Sequence, residues 1–207
     1  MSQCLTVGFL SVIKTPEKPR PLGRGGCQQA KYKNENQQSK EIKTMKLYIG
    51  VDPGLTGAIA AIDHNGKLVT VKDLPTMPTG GKNTKVKLQI DPAALRDDLK
   101  FIFSHGDNYT AAIERVTAMP GQGVAGVFSL GDTYGAVRSV FAVLSVSSAF
   151  PTPAVWKRAM GLNSDKERSR AMAVKLFPES ARFLSRKKDH NRAEAILLCE
   201  WLRRKVA

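Results

Sequence analysis

Hydrophobic residues along this chain fall into short runs cut by polar turns, and the first pair of runs is the clearest. Lys46 to Asp63, KLYIGVDPGLTGAIAAID, carries one apolar run up to Asp52, a turn Pro53-Gly54-Leu55-Thr56-Gly57, and a second run from Ala58. The pattern predicts two antiparallel strands with a tight connection and a carboxylate at the end of the first. Gly66 to Leu74 alternates as a third strand, entered through Asn65-Gly66. Thr76 to Lys87, with Pro78, Gly80, Gly81 and three lysines, reads as a mobile basic loop. Asp91-Pro92 is an N-cap followed by a first helical residue, opening a helix to about Ser104. Thr110 to Val116 is a fourth strand with Glu114 near its end, and a helix over about Val124 to Phe141 follows. There Val127, Leu130, Tyr134, Val137 and Phe141 form an apolar stripe. Gly123, Gly126, Gly131 and Gly135 punctuate the same helix and suit close packing, a dimer contact included. Val143 to Phe150 is a fifth strand, and Pro153–Met160, Ser164–Leu176 and Asp189–Lys205 are closing helices. Together these elements predict an α/β fold: a mixed five-stranded sheet flanked by helices.

Residues 1–44 break this pattern. Three prolines, Gly23-Arg24-Gly25-Gly26 and a Gln/Lys/Asn-rich stretch bury little, so they are expected to form a disordered basic extension before a domain at 45–207. Met45, directly before the first strand, reads as a natural start. The net charge is +14, and eight of the 32 basic and three of the 18 acidic residues lie in the extension. The domain itself thus carries +9, which suits a polyanionic partner. No apolar run reaches membrane-spanning length, so a soluble, cytoplasmic protein without a membrane partner is expected. Cys4, Cys27 and Cys199 lack metal-ligand spacing and read as free thiols, with Cys199 in the core.

Acids stand where a core does not ask for them. Asp52 ends the first strand, Glu114 lies near the end of the fourth, and Asp189 and Glu194 open the last helix. Taken singly, each also reads as a solvated residue or a helix cap. Gathered at one spot they repel one another, and Mg²⁺ (or Mn²⁺ in its place) relieves that repulsion because hard cations select oxygen ligands. Two such ions about 4 Å apart activate a water and stabilise the leaving oxygen of a phosphodiester. Asp189 and Glu194 are about 140° apart around a helix, so both reach one site only if Asp189 lies at or before the first turn. His190 shares a face with Glu194 and is open to three roles: metal ligand, proton shuttle, or exposed residue beside phosphate. Lys157, Arg158, Lys166, Arg168 and Arg170 cluster on short helices, where phosphate contacts supply affinity without sequence readout. Trp156, among them, reads as a core anchor.

The ordered set IGVDPGLTGAIA, AIERV with Met119 to Gly123, LGDTYGAVRS, PAVWKRAMGLNSDKERSR and KKDHNRAEAILL resembles the RuvC-type Holliday junction resolvases, in their bacteriophage and prophage branch. The segments span nearly all of Lys46 to Ala207. The resemblance implies a ribonuclease H-like fold and a homodimer in a bacterial or phage-infected cell. It also implies Mg²⁺-dependent paired nicks in four-way DNA junctions, leaving 5′-phosphate and 3′-hydroxyl ends. By that likeness Asp52, Glu114, Asp189 and Glu194 match the acidic site, and Lys157 and Lys166 match basic residues near the junction backbone. Two positions depart from the family pattern. Asn191 stands where cellular members place an acid or histidine three residues before the last acid, and Thr117 stands where they carry an aromatic wedge. Rival readings are a YqgF-type nuclease acting on structured RNA, an actin-like ATPase or kinase fragment, and a non-catalytic DNA binder. The chain is too short for the second domain of an actin-like enzyme, and a pure binder gains nothing from carboxylates beside phosphates.

Overall fold

The computed structural model describes residues 45–80 and 87–206. The extension at 1–44 and residues 81–86 of the basic loop lie outside the described residues. Seven strands and five helices follow in order: β1 (Lys46–Asp52), β2 (Ala58–Asp63), β3 (Leu68–Asp73), β4 (Thr76–Pro78), β5 (Leu88–Ile90), α1 (Pro92–Phe103), β6 (Asn108–Ile113), α2 (Val124–Val143), β7 (Ser147–Ala149), α3 (Pro153–Ala159), α4 (Lys166–Leu176) and α5 (His190–Val206). Two 3₁₀ turns, Pro178–Phe183 and Lys187–Asp189, join α4 to α5. The main sheet has the order β3-β2-β1-β6-β7. β1 to β3 pair antiparallel, while β6 and β7 extend the sheet in parallel with β1. This is the expected mixed five-stranded α/β sheet. Among the described residues no helix is long and apolar enough to cross a membrane.

Strand parity decides what each face carries. Leu47, Ile49 and Val51 of β1 face α1 and α2, in one core with Ile59, Leu95, Leu99, Ile113, Val137 and Phe141. Tyr48 and Gly50 face the other way, toward α3, α4 and α5, with Ala58, Ala60 and Ala112 from the neighbouring strands. Gly50 is needed there. A Cβ on it would run into the Ala195 carbonyl oxygen of α5 and press on the Cys199 amide, so only glycine lets helix and strand approach this closely. Cys199 is buried in that seam, its thiol donating to the carbonyls of Ala60 (3.2 Å) and Ala195 (3.3 Å), and burial pushes its pKa well above the usual thiol range.

Local signals set the element ends. Asp91 caps α1, accepting from the amides of Ala93 and Ala94, with Pro92 at the first turn. Asp165 caps α4 in the same way. Three expectations need correction. Thr76 to Lys87 does not begin as a loop: β4 pairs antiparallel with β5 as a separate two-stranded ribbon, with Thr76 opposite Ile90. Three-residue strands are too short for periodicity to reveal. The fifth strand shrinks to Ser147–Ala149, because α2 runs through Val143 and the chain turns at Ser145, whose φ is 55°. The last helix opens at His190, leaving Asp189 in the preceding 3₁₀ turn.

Candidate active site

Two acids of the proposed set reach one edge of the sheet through strand geometry. β1 and β6 run parallel with Val51 beside Ile113, so Asp52 and Glu114 emerge next to each other at their C-terminal ends. The Glu114 amide still donates to the Val51 carbonyl (2.9 Å). Both acids share parity with the α5-facing residues Gly50 and Ala112, which turns their side chains toward α5. The turn after Asp52 is tight: a Cβ on Gly57 would strike the Asp52 carbonyl oxygen. Glu194, one residue before the Ala195 that rests on Gly50, brings a third carboxylate to the same place.

The electrostatics follow from burial first and from that crowding second. Burial, then the charges of Glu114 and Glu194, lift Asp52 from 3.8 to about 7, while Lys157 and Lys166 pull the other way. Glu114 is raised mainly by burial and partly relieved by a hydrogen bond from Trp156, with Glu194 pushing up and Lys157 pulling down. The Trp156 indole N–H donates to Glu114 Oε2 at 2.6 Å. Lys157 Nζ donates to Glu194 Oε1 at 2.7 Å, and the Ser169 hydroxyl approaches the same oxygen at 3.5 Å. Side-chain exposures of 15% and 8% make Lys157–Glu194 a shielded pair. Lys157 therefore stands among the acids as their counter-charge, and also borders a groove lined by Pro153, Arg158 and Leu162.

The remaining residues fall elsewhere. Asp189 does not join the acids: its carboxylate accepts from the Arg186 amide (2.8 Å) and from the Arg186 guanidinium (2.7 Å), with Arg192 at 4.0 Å. Those bonds, chiefly the Arg186 side chain, hold it below the usual carboxylate range. It lies before the first turn of α5, as reaching the site requires, yet the capping box of the 3₁₀ turn claims both its oxygens. His190 sits at the rim. Its Nε2 lies 2.8 Å from Lys166 Nζ and its Nδ1 lies 3.1 Å from the Lys187 carbonyl oxygen. Arg158 and Arg168 are exposed, whereas Arg170 is tied to Glu167 (2.6 Å) and the Leu184 carbonyl (3.2 Å). Asn191 ties α5 to the turn after β1, its amide donating to the Thr56 carbonyl (2.5 Å). A neutral donor suits that contact, which an acid cannot make.

Sequence reading missed the site roles of Trp156 and Lys157 beside the acids. Trp156 is the buried anchor it was expected to be, at 0% exposure, but its polar end faces the site. The sign in the sequence was the adjacency of the two residues: a buried tryptophan needs an acceptor for its N–H, and the next residue is a lysine.

Metal fit rests on this donor set. Asp52, Glu114 and Glu194 offer hard oxygen ligands whose mutual repulsion calls for positive charge. Among the described residues, however, no three His, Cys, Asp or Glu side chains already converge at metal-ligand separation. The hydrogen bonds show why: Glu194 is drawn to Lys157, Glu114 to Trp156 and Asp189 to Arg186. In donor chemistry, though not yet in spacing, Asp52, Glu114 and Glu194 suit a hard divalent cation.

No protein-family model matches the chain, and no curated protein matches it in sequence. Solved structures do. A Thermus thermophilus RuvC in complex with a Holliday junction substrate aligns over 78% of this chain and 96% of its own, with a TM-score of 0.52 and 14% identity. A second T. thermophilus RuvC structure aligns over 77% and 96%, with a TM-score of 0.43 and 14% identity. The fold is RuvC-like. At this identity the likeness to RuvC speaks for the ribonuclease H-like architecture, and not for the phage branch.

Proposed function

We propose that this chain is a Mg²⁺-dependent, structure-selective DNA endonuclease that resolves four-way junctions by paired nicks. One observation carries the reading: Asp52, Glu114 and Glu194, far apart in sequence, meet at one edge of a RuvC-like sheet, where burial first and then the two neighbouring carboxylates lift Asp52 to about 7. A purely structural cluster of this kind only destabilises the fold. Held by these three acids, Mg²⁺ would supply positive charge to the scissile phosphate and would acidify a water.

The chain's own residues do the rest. Asp52, Glu114 and Glu194 would hold the cation, and Lys157, which now pairs with Glu194 and borders the groove, would meet a phosphate oxygen from that side. Lys166 with His190 at the rim, and the exposed Arg158 and Arg168, carry backbone contacts; Arg170, already engaged, contributes by bracing α4. Paired nicks require two copies. The exposed start of α2, with Val124 at 87% and Phe128 at 75% exposure and open space over Gly126, Gly131 and Gly135, is the surface for a homodimer. Bacterial or phage-infected cytoplasm is the setting this activity implies.

The test is incubation of the full chain with a synthetic four-way DNA junction and with a structured RNA, with and without Mg²⁺. Symmetric nicks in the junction, dependent on Mg²⁺, are expected. Cutting of RNA alone transfers the chain to the YqgF-type reading, and no cutting of either removes the nuclease assignment.

A further inference from the structure

Two neighbouring residues of α3 grip two different acids. Trp156 donates to Glu114 at the end of β6, and Lys157 donates to Glu194 on α5. The two contacts differ in kind. Lys157 brings charge and must let go when a cation or phosphate arrives. Trp156 brings a neutral N–H, which competes with no cation and occupies one oxygen of a carboxylate that has two. Its ring is fully buried among α3, α4 and α5, so the donor cannot wander. Glu114 itself is half-buried just past its strand, where its side chain would otherwise sample several rotamers.

We propose that Trp156 is a positioning residue: its indole N–H fixes the Glu114 carboxylate so that the free oxygen faces the cation site shared with Asp52 and Glu194. The proposal deepens the nuclease reading and rests on it for the identity of that cation. A donor behind a metal ligand sets the ligand's orientation and lowers the ordering cost of binding. Tryptophan suits the task because one rigid group anchors in the core and reaches the site with its single polar atom.

The experiment has two readouts on the full chain. In ¹H–¹⁵N spectra, Trp201→Phe identifies the Trp156 indole signal. That signal is expected far downfield, and it should move upfield in Glu114→Gln, which weakens the acceptor. Separately, Mn²⁺ affinity is measured by electron paramagnetic resonance in the wild type and in Trp156→Phe, which keeps an aromatic ring in the core and removes the donor. A loss of about tenfold in affinity is expected, with cutting restored at saturating Mn²⁺. An indole signal indifferent to Glu114→Gln, or unchanged Mn²⁺ affinity in Trp156→Phe, overturns the proposal. Should Trp156→Phe fail to fold, the indole response decides alone. Should the wild type bind no Mn²⁺, the metal-dependent nuclease falls, and the same spectrum still decides whether Trp156 holds Glu114.

Discussion

The two faces of the central sheet are built to opposite rules. Toward α1 and α2 the strands present Leu47, Ile49, Val51, Ile59 and Ile113, large branched residues that fill the gap to the helices. Toward α5, at the end that carries the acids, they present Gly50, Ala58, Ala60 and Ala112, which leave almost no gap, while Tyr48 and Ile62 lie farther back on the same face. The large-residue face maximises apolar area and tolerates modest change in any one side chain. The small-residue face gives up side-chain volume so that a helix backbone lies on the strand, and this is how Glu194 arrives beside Asp52 and Glu114. Packing on one face makes the fold stable; closeness on the other makes the acid site.

That contrast breaks most forcefully at Gly50. Gly50→Val places a branched side chain against the Ala195 carbonyl, with backbone on both sides and nothing to rotate away. The expected loss is roughly 4 kcal/mol or more, with α5 lifted and Glu194 displaced from the acids. Ile49→Ala, one residue earlier on the opposite face, leaves a cavity and costs about 3 kcal/mol, yet should not move the site. Urea unfolding together with Mn²⁺ affinity separates the two, because only the glycine variant should lose the metal per folded molecule. Equal metal affinity in both folded populations would refute the role given to the small-residue face.

Much of this was legible before the structure. The apolar runs put Asp52 and Glu114 at or near strand ends, and the Asp91-Pro92 and Asn65-Gly66 signals placed their elements correctly. What escaped was decided at the level of single rotamers and long-range pairs. Nothing in KKDH tells that Arg186 will claim Asp189, since a carboxylate before a helix can cap, pair or coordinate. Nor does spacing reveal that residues 156 and 114, 42 apart, will share a proton donor. The ribbon β4–β5 was hidden for a simpler reason: three residues hold too little periodic signal.

A pH-dependent effect, at most of similar size, comes from charge on the small-residue face. Asp52 binds its proton more tightly folded, at about 7, than its ordinary 3.8. Between those values the folded state holds the extra proton, so without metal stability falls as pH rises from about 4 through 7. The loss is at most about 4 kcal/mol. Asp52→Asn should flatten that slope, abolish cutting and leave junction binding largely intact. Mg²⁺ should restore stability to the unmodified protein above pH 7 and do little for the variant. Unfolding free energies at pH 5 and pH 8 decide it; an unchanged slope in Asp52→Asn would show that neither burial nor the neighbouring acids raise Asp52 as described.

The smallest expected change in stability lies at the outer edge of the large-residue side. Val137 and Phe141 bury the C-terminal half of α2 against the sheet, but the N-terminal half leaves Val124 and Phe128 exposed with glycines beside them. A helix that needs no side chain there for its own packing can accept a charge there. Phe128→Lys should alter the unfolding free energy by no more than about 0.5 kcal/mol, because the ring it replaces is already in water. If that surface joins two copies, the same substitution desolvates a lysine in each interface and should convert a dimer to a monomer in sedimentation equilibrium. Single-strand nicks should then replace paired cuts, with each protomer's acids still intact. A variant that remains dimeric would place the interface elsewhere on the domain, and a wild type that sediments as a monomer would remove the two-copy basis for paired cutting while leaving Asp52, Glu114 and Glu194 where they are.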